Sequence, residues 1–297
     1  MTNGIWYAVG AYLLWGILPI YWKWISHVSA LELIAHRIVW SCLILGGAIV
    51  IVRQWTSFTT TLTARVIRLY ALAALFIAIN WFTYVWAVNT GRVVHASLGY
   101  FINPLISVVL GVMVLGERLR PFQWMAVGLA ALGVLYLTLT FGVPPWISLT
   151  LASSFGVYGL VKKTAPLGSI HGLTVETAIL LLPAIGYLVF LAGDGAFFRT
   201  GVPTAILIIG TGLVTAAPLL LFASAVQRVP LSQIGLLQYI APTMQLLLGV
   251  FLYREPFTRT QLIGFSMVWA GLIVFGLEGF LTRRQAIDIG DLAIRDL

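Results

Sequence analysis

Ten stretches of about 20 mainly apolar residues, each long enough to cross a bilayer as a helix, recur along this chain, at 5–25, 33–52, 70–89, 94–115, 122–141, 145–162, 173–192, 203–226, 232–253 and 260–281. Lipid offers a bare backbone no hydrogen-bonding partner, so stretches of this length must be helices that satisfy themselves. The gaps are a handful of residues, marked by Pro121, Pro144, Pro145, Gly201, Pro203 and Pro230. No separate soluble domain fits between them. Only 9% of the residues are charged, against about 25% in an ordinary soluble domain, which is too little to cover a water-soluble fold. The expected fold class is therefore all-α: a polytopic membrane protein of ten transmembrane helices with the lipid bilayer as its medium.

The first stretch begins within a few residues of Met1 and lacks both a basic leader and a small-residue cleavage site, so it reads as an uncleaved helix. The net charge of +8 does not imply nucleic acid, because the basic residues punctuate helix ends instead of forming a patch. If the N-terminus is cytoplasmic, eleven cations (Arg53, Arg65, Arg68, Arg118, Arg120, Lys162, Lys163, Arg228, Arg283, Arg284 and Arg295) share its side. Five (Lys23, Arg92, Arg199, Arg254 and Arg259) lie opposite, and Arg37 is within a span. The positive-inside rule then places both termini in the cytoplasm of a multi-pass protein of the bacterial inner membrane. Cys42 is the one cysteine, so no intrachain disulfide or Cys-based metal site can form. No metal and no cofactor is expected, and the oligomeric state is undetermined.

Offset by 138 residues, Leu98–Leu137 matches Leu236–Phe275 at nine of forty positions, including Pro104 with Pro242, Gly111 with Gly249, Glu117 with Glu255, Gln123 with Gln261 and Gly133 with Gly271. Proline, glutamate and glutamine in register outweigh chance pairing of leucines. Ala87-Val88-Asn89 extends the register to Ala225-Val226-Gln227, and an offset of 140 sets Trp15-Gly16 against Phe155-Gly156 and Lys23 against Lys163. Because each copy holds five helices, an odd number, the second must enter the membrane from the opposite side. The expected organisation is two inverted five-helix repeats, 1–141 and 142–282, with a cytoplasmic tail at 283–297. Inverted repeats are a common construction of secondary transporters, whose halves exchange conformations about a central site.

Gly116-Glu117-Arg118, its echo Arg254-Glu255-Pro256 and the five-plus-five layout resemble the EamA family of the drug/metabolite transporter superfamily. The opening Leu14-Trp15-Gly16-Ile17-Leu18-Pro19-Ile20-Tyr21-Trp22-Lys23, the 32–40 stretch with His36-Arg37, and Asn80-Trp81 through Asn103-Pro104 resemble more narrowly its RarD group, near the YddG-type amino-acid exporters. The resemblance covers essentially the whole chain. It implies an exporter of amino acids or related small metabolites, with the first, third, fourth, sixth, eighth and ninth spans around a central cavity. RarD-like proteins also carry a drug-resistance label, notably for chloramphenicol.

Polar groups within hydrocarbon cost several kcal/mol when unpartnered, so each intramembrane polar residue is a candidate for function. Asn80 and Tyr84 share one face of the third span, and Tyr100 and Asn103 lie on one stripe of the fourth. Gln238 and Gln245 flank Pro242 in the ninth. Tyr12, Trp15 and Tyr158 offer aromatic surface on the opening helices of the two halves. These nine are the expected substrate-binding residues, with Pro19, Pro104 and Pro242 as hinges or gates. His95 could couple a proton. Arg37 and Glu176, near the starts of their spans, are expected to reach the membrane interface. Glu117 and Glu255 are expected to pair with neighbouring arginines or to satisfy loop amides. Four scattered histidines, one cysteine and no paired intramembrane acids argue against an intramembrane enzyme. The absence of a charged ring or glycine filter argues against a channel. The expected function is secondary transport by alternating access, of amino acids including hydrophobic and aromatic ones, or alternatively of chloramphenicol-like drugs.

Overall fold

Each apolar stretch is helical in the computed structural model, which describes residues 2–142, 145–191, 193–254 and 257–295. In chain order the helices are α1 (Thr2–Trp24), α2 (Ala30–Ile51), α3 (Trp55–Thr60), α4 (Ala64–Asn89), α5 (Val93–Met113), α6 (Pro121–Phe141) and α7 (Trp146–Thr164). They continue with α8 (Ser169–Phe190), α9 (Ala196–Arg199), α10 (Val202–Val226), α11 (Leu231–Gln238), α12 (Ile240–Leu247) and α13 (Arg259–Arg295). Helices α3 and α9 are short pieces in loops. The ninth span is α11 and α12 in series, meeting at Tyr239 and closing in a π-helical turn, Leu248–Leu252. Pro242 has no N–H for the Gln238 carbonyl, which places the break. Several helices start earlier than their apolar stretch because a polar cap fixes the first turn: Ser29 Oγ accepts from Glu32 N and Thr63 Oγ1 from Val66 N. The segment from Arg283, expected as a short extension, continues α13 as helix to Arg295.

Short connections make successive spans antiparallel, so ten crossings bring both ends of the chain to one side, here the terminal face, with the far face opposite. Among the described residues nine helices are long and apolar enough to cross a membrane by themselves. The exception is α7, which carries Ser148, Ser154, Lys162 and Lys163. More than half of it is buried, packed between α4 and α5. Ser148, Ser154 and Lys162 are among its buried residues, so protein and not lipid receives its polar groups.

The repeat recurs in the contacts. Helix α4 packs on α7 as α10 packs on α1, and α5 packs on α7 as α11 and α12 pack on α1. The fifth and tenth spans, α6 and α13, pack on each other. At α6 the Arg120 N–H donates to Gln123 Oε1 (3.0 Å), and 138 residues later the Thr258 N–H donates to Gln261 Oε1 (2.9 Å). Glycines mark the close approaches in pairs. A Cβ on Gly16 would meet Met244 Cβ at 2.5 Å, and one on Gly156 would meet Ile106 Cγ2 at 2.7 Å. Gly133 and Gly271 likewise rest on the carbonyl oxygens of Gly264 and Ala126.

Gly271→Leu should therefore destabilise the α6–α13 contact by about 1–3 kcal/mol, the usual cost of overpacking. Gly128→Leu, on the same helix pair but with open space beside it, should stay within about 0.5 kcal/mol. Unfolding of the two variants in the same detergent checks the contrast.

Candidate solute-binding site

Helices α5 and α11 cross at the centre of the molecule. The Tyr239 hydroxyl donates to the Phe101 carbonyl (3.1 Å), and these two residues are 138 apart, occupying the same position of the two copies. The crossing therefore lies on the pseudo-twofold axis. Toward the terminal face it is shut: Gly235 fits against α5 so closely that a Cβ would lie 2.6 Å from the Pro104 carbonyl oxygen and 3.0 Å from Ser107 Cβ. Toward the far face, the residues equivalent to Gly235 and Pro104 are Ser97 and Pro242. There the two helices part around a cavity of about 160 Å³, lined also by Tyr100, Gln245, Gln261 and Phe265. One contact, written twice in the sequence, is closed on one side and open on the other.

Polar groups fasten the closed side. Gly116, at φ 67°, turns the chain after α5, and Gly111 lacks the Cβ that would collide with the Glu117 carboxylate at 2.6 Å. Glu117 thereby reaches the start of α11. It accepts from the N–H groups of Leu231 (2.6 Å) and Ser232 (2.8 Å) and from the Ser232 hydroxyl (2.6 Å). An anion at a helix N-terminus is favoured by the unpaired amides and the helix dipole. Of the two roles expected for Glu117, the structure shows the loop amides; Glu255 lies outside the described residues. Lys163 donates to the carbonyls of Val226 (2.9 Å) and Val229 (2.6 Å), and Gln227 to that of Leu167 (2.9 Å). Beneath them Lys162 Nζ meets Glu176 Oε1 at 2.6 Å and the Tyr158 hydroxyl donates to the other oxygen at 3.1 Å. Both charged side chains are essentially inaccessible. Glu176, expected at the interface, is turned inward because α7 supplies its counter-ion from the adjacent helix.

On the open side Arg37 is also turned inward. Its Nε donates to Thr215 Oγ1 (3.0 Å), midway along α10, and its guanidinium lies 4.2 Å from the centre of the Trp81 ring and 5.6 Å from that of Trp22. Ser41, one turn along α2, donates to the Gly212 carbonyl (2.9 Å), so one face of α2 is fixed on α10. The phenols of Tyr84 and Tyr100 lie within electrostatic range of Arg37, their rings 6.1 Å apart edge to face. Both tyrosines are 38% exposed although each stands on a face whose neighbours are buried, Ile77 for Tyr84 and Ala96 and Asn103 for Tyr100. Tyr100 lines the cavity where α5 and α12 part.

The other expected residues divide by depth. Tyr12 and Tyr158 are fully buried in the closed half, Tyr12 donating to the Ile234 carbonyl (3.2 Å). Trp15 packs on Tyr12, Phe155 and Phe222. Pro19 has no N–H for the Trp15 carbonyl, and Gln245 Nε2 takes that oxygen at 3.2 Å. Asn80 ties α4 to α7 through the Leu151 carbonyl (2.8 Å) and Ser154 Oγ (3.2 Å). Asn103 Oδ1 and Gln238 Oε1 are buried acceptors without a partner among the described residues. Pro104 and Pro242 flank the crossing described above. The His95 carbonyl accepts from Ser148 (2.5 Å), joining α5 to α7, while its Nδ1 is buried with no partner among the described residues. A larger hollow of about 380 Å³ lies between α2, α8 and α9 at the far face, lined by Glu32, His36, Trp40 and Phe197. The Lys162–Glu176 pair was not anticipated from the sequence. Its one signal is a lysine placed before the end of an apolar stretch with a glutamate inside the next.

The sequence model of the EamA-like transporter family matches residues 2–139 and again 145–277. Protein RarD of Streptomyces exfoliatus is 48% identical, over 96% of this chain and 91% of its own length. The uncharacterized transporter YojE of Bacillus subtilis is 43% identical, over 96% and 97%. A crystal structure of a protein 19% identical superposes with a TM-score of 0.71, covering 96% of this chain and 99% of the other, and shares the fold.

Replacing Lys162 by Met leaves the Glu176 carboxylate without its cation and should cost about 3–5 kcal/mol. The double replacement Lys162→Met with Glu176→Leu should recover most of that loss. A double-mutant cycle on unfolding in detergent measures both.

Proposed function

The chain belongs to the EamA-like transporter family, and from that membership we propose that it exports small metabolites from the bacterial cytoplasm by alternating access, with amino acids, including hydrophobic and aromatic ones, as the leading substrates. The observation that carries the reading is the unequal crossing of α5 and α11. Two copies of one contact are shut at the terminal face and parted at the far face. Exchanging the conformations of the two halves would part Gly235 from Pro104 and bring Ser97 onto Pro242, which turns the hollow to the other side.

The excess of basic residues on the terminal face supports a cytoplasmic location for it, and hence a hollow open to the outside in this conformation. Pro104 and Pro242 are proposed as the hinges, since each removes one backbone bond at the crossing. Pro19 has the same role in α1, with Gln245 holding the carbonyl it frees. Asn103 Oδ1 and Gln238 Oε1 are acceptors awaiting a donor, and parting the α5–α11 contact would offer them to a substrate ammonium. Tyr84, Tyr100 and Trp15 supply aromatic surface for a side chain, while Tyr12, Asn80 and Tyr158 would meet solute only when the terminal half opens. His95 remains the candidate for proton coupling, through its unpartnered nitrogen. The competing reading, export of chloramphenicol-like drugs, uses the same aromatic surface without needing the amide oxygens.

Counterflow of radiolabelled phenylalanine in proteoliposomes tests the proposal. Saturable exchange competed by other amino acids is expected, and competition by chloramphenicol alone would favour the drug reading. Tyr100→Ala and Gln238→Ala should each slow exchange at least about tenfold, the loss of about 1.4 kcal/mol of solute interaction, with membrane insertion unchanged. Two cysteines at Ser97 and Leu246, which both line the open cavity, introduced with Cys42→Ser, should abolish exchange when bridged by a short thiol cross-linker and restore it on reduction. Full exchange in the bridged protein would rule out movement at this crossing.

A further inference from the structure

From the surroundings of Arg37 we infer that the pathway selects solutes carrying a carboxylate, with the Arg37 guanidinium as the group that recognises it and the rings around it as the seat of an attached aromatic or alkyl side chain. This inference rests on the exporter reading and narrows it.

A cation within a bilayer is costly and is expected to find a counter-ion or to extend toward the interface. Arg37 does neither. The ion pairs among the described residues are His36 with Glu32, Arg120 with Glu278, Lys162 with Glu176 and Arg199 with Asp194. No acid is assigned to Arg37. Its side chain runs from α2 toward the middle of α10, away from the near end of its own helix, and is held there by Thr215. Of its five N–H donors, the one bond found among the described residues uses Nε, leaving both terminal amino groups unengaged. Neither is among the buried nitrogens without a partner, so neither is fully enclosed. Within electrostatic range of the guanidinium stands Tyr100, which lines the cavity where α5 and α12 part.

The chemistry of this arrangement is specific. A guanidinium with its two amino groups presented side by side binds a carboxylate through two parallel hydrogen bonds. The indoles of Trp81 and Trp22 supply π-faces to the cation, stabilising it when no anion is bound, and keep water away when one is. The two phenols at the edge add hydroxyl donors and ring surface. An anion here gains from a charge that no carboxylate among the described residues neutralises. An ammonium without a carboxylate is repelled, and a neutral drug gains only the aromatic contact.

The test is competition against phenylalanine counterflow by wild-type protein. 3-Phenylpropionate keeps the carboxylate and lacks the ammonium, whereas phenethylamine keeps the ammonium and lacks the carboxylate. The expected result is competition by 3-phenylpropionate and none by phenethylamine. Arg37→Met should weaken phenylalanine at least about thirtyfold, as loss of a charged bidentate partner does. Arg37→Lys should retain part of the affinity, and Thr215→Val, which keeps the charge and frees the anchor, should weaken binding by about three- to tenfold. The melting temperature of each variant in detergent reports folding, and Thr215→Val provides the readout if Arg37→Met does not fold. Equal competition by phenethylamine, or unchanged phenylalanine affinity in a folded Arg37→Met protein, overturns the inference and leaves the exporter reading standing. Absence of wild-type exchange with phenylalanine, 3-phenylpropionate and every other amino acid overturns both.

Discussion

The fold depends on one crossing of two helices at which a sequence meets its own copy. At Tyr239 and Phe101 the repeats touch through the same position, and a contact on a twofold axis must serve both copies at once. Side chains on either side of the axis face equivalent partners, yet both flanks cannot be tightly packed while a hollow exists between them. The observed compromise seats Gly235 against the Pro104 carbonyl on one flank and leaves a cavity at Ser97 and Pro242 on the other. The asymmetry of the molecule is thus a choice between two equivalent packings, biased by residues that differ between the copies. Glycine occupies the shut flank, where only a missing Cβ allows the approach, and serine the open one.

What fastens the shut flank is polar. Glu117 on the amides of α11, Lys163 on two carbonyls at and just beyond the end of α10 and the enclosed Lys162–Glu176 pair all lie on the terminal side. Each closes an orphaned backbone group or a charge that hydrocarbon would not tolerate. On the far side the polar contacts tie α1, α2 and their connection to α10 and to the end of the ninth span, as in Tyr21 with the Leu207 carbonyl, His27 with Thr204, Arg37 with Thr215 and Lys23 over the Tyr253 ring. The glycine at 116 and the space beside Gly111 give the Gly-Glu turn its physical meaning: both are needed before the carboxylate can reach the neighbouring helix.

The spans and their duplication were legible because hydrocarbon leaves the backbone a single solution and because Pro104 with Pro242, or Gln123 with Gln261, rarely align by accident. Depth and direction were not legible. Helical spacing sets Asn80 on one face with Tyr84, and Tyr12 and Tyr158 offer aromatic surface on the opening helices, but a face runs the length of a helix and does not say which half is closed. Whether a carboxylate or guanidinium extends outward or inward depends on a partner from a distant helix. Thr215 draws Arg37 inward and Lys162 does so for Glu176, and sequence distance hides the first of these. The break at Tyr239 is foretold by Pro242, whereas the π-helical turn at Leu248–Leu252 has no marker in its residues.

The exceptional character of α7 bears on how the protein is made. A ribosome delivers helices to the membrane one at a time, and a segment ending in two lysines, with serines along its buried face, has little tendency to partition from the insertion channel into lipid unaided. Its shelter is built from α4 and α5, which precede it, and from α10 and α11, which are still to be synthesised. The first half of the chain must therefore act as a receptor for the opening helix of the second. Biogenesis is then ordered by the same duplication that shapes the finished molecule, with the earlier copy serving as the template on which the later one is threaded.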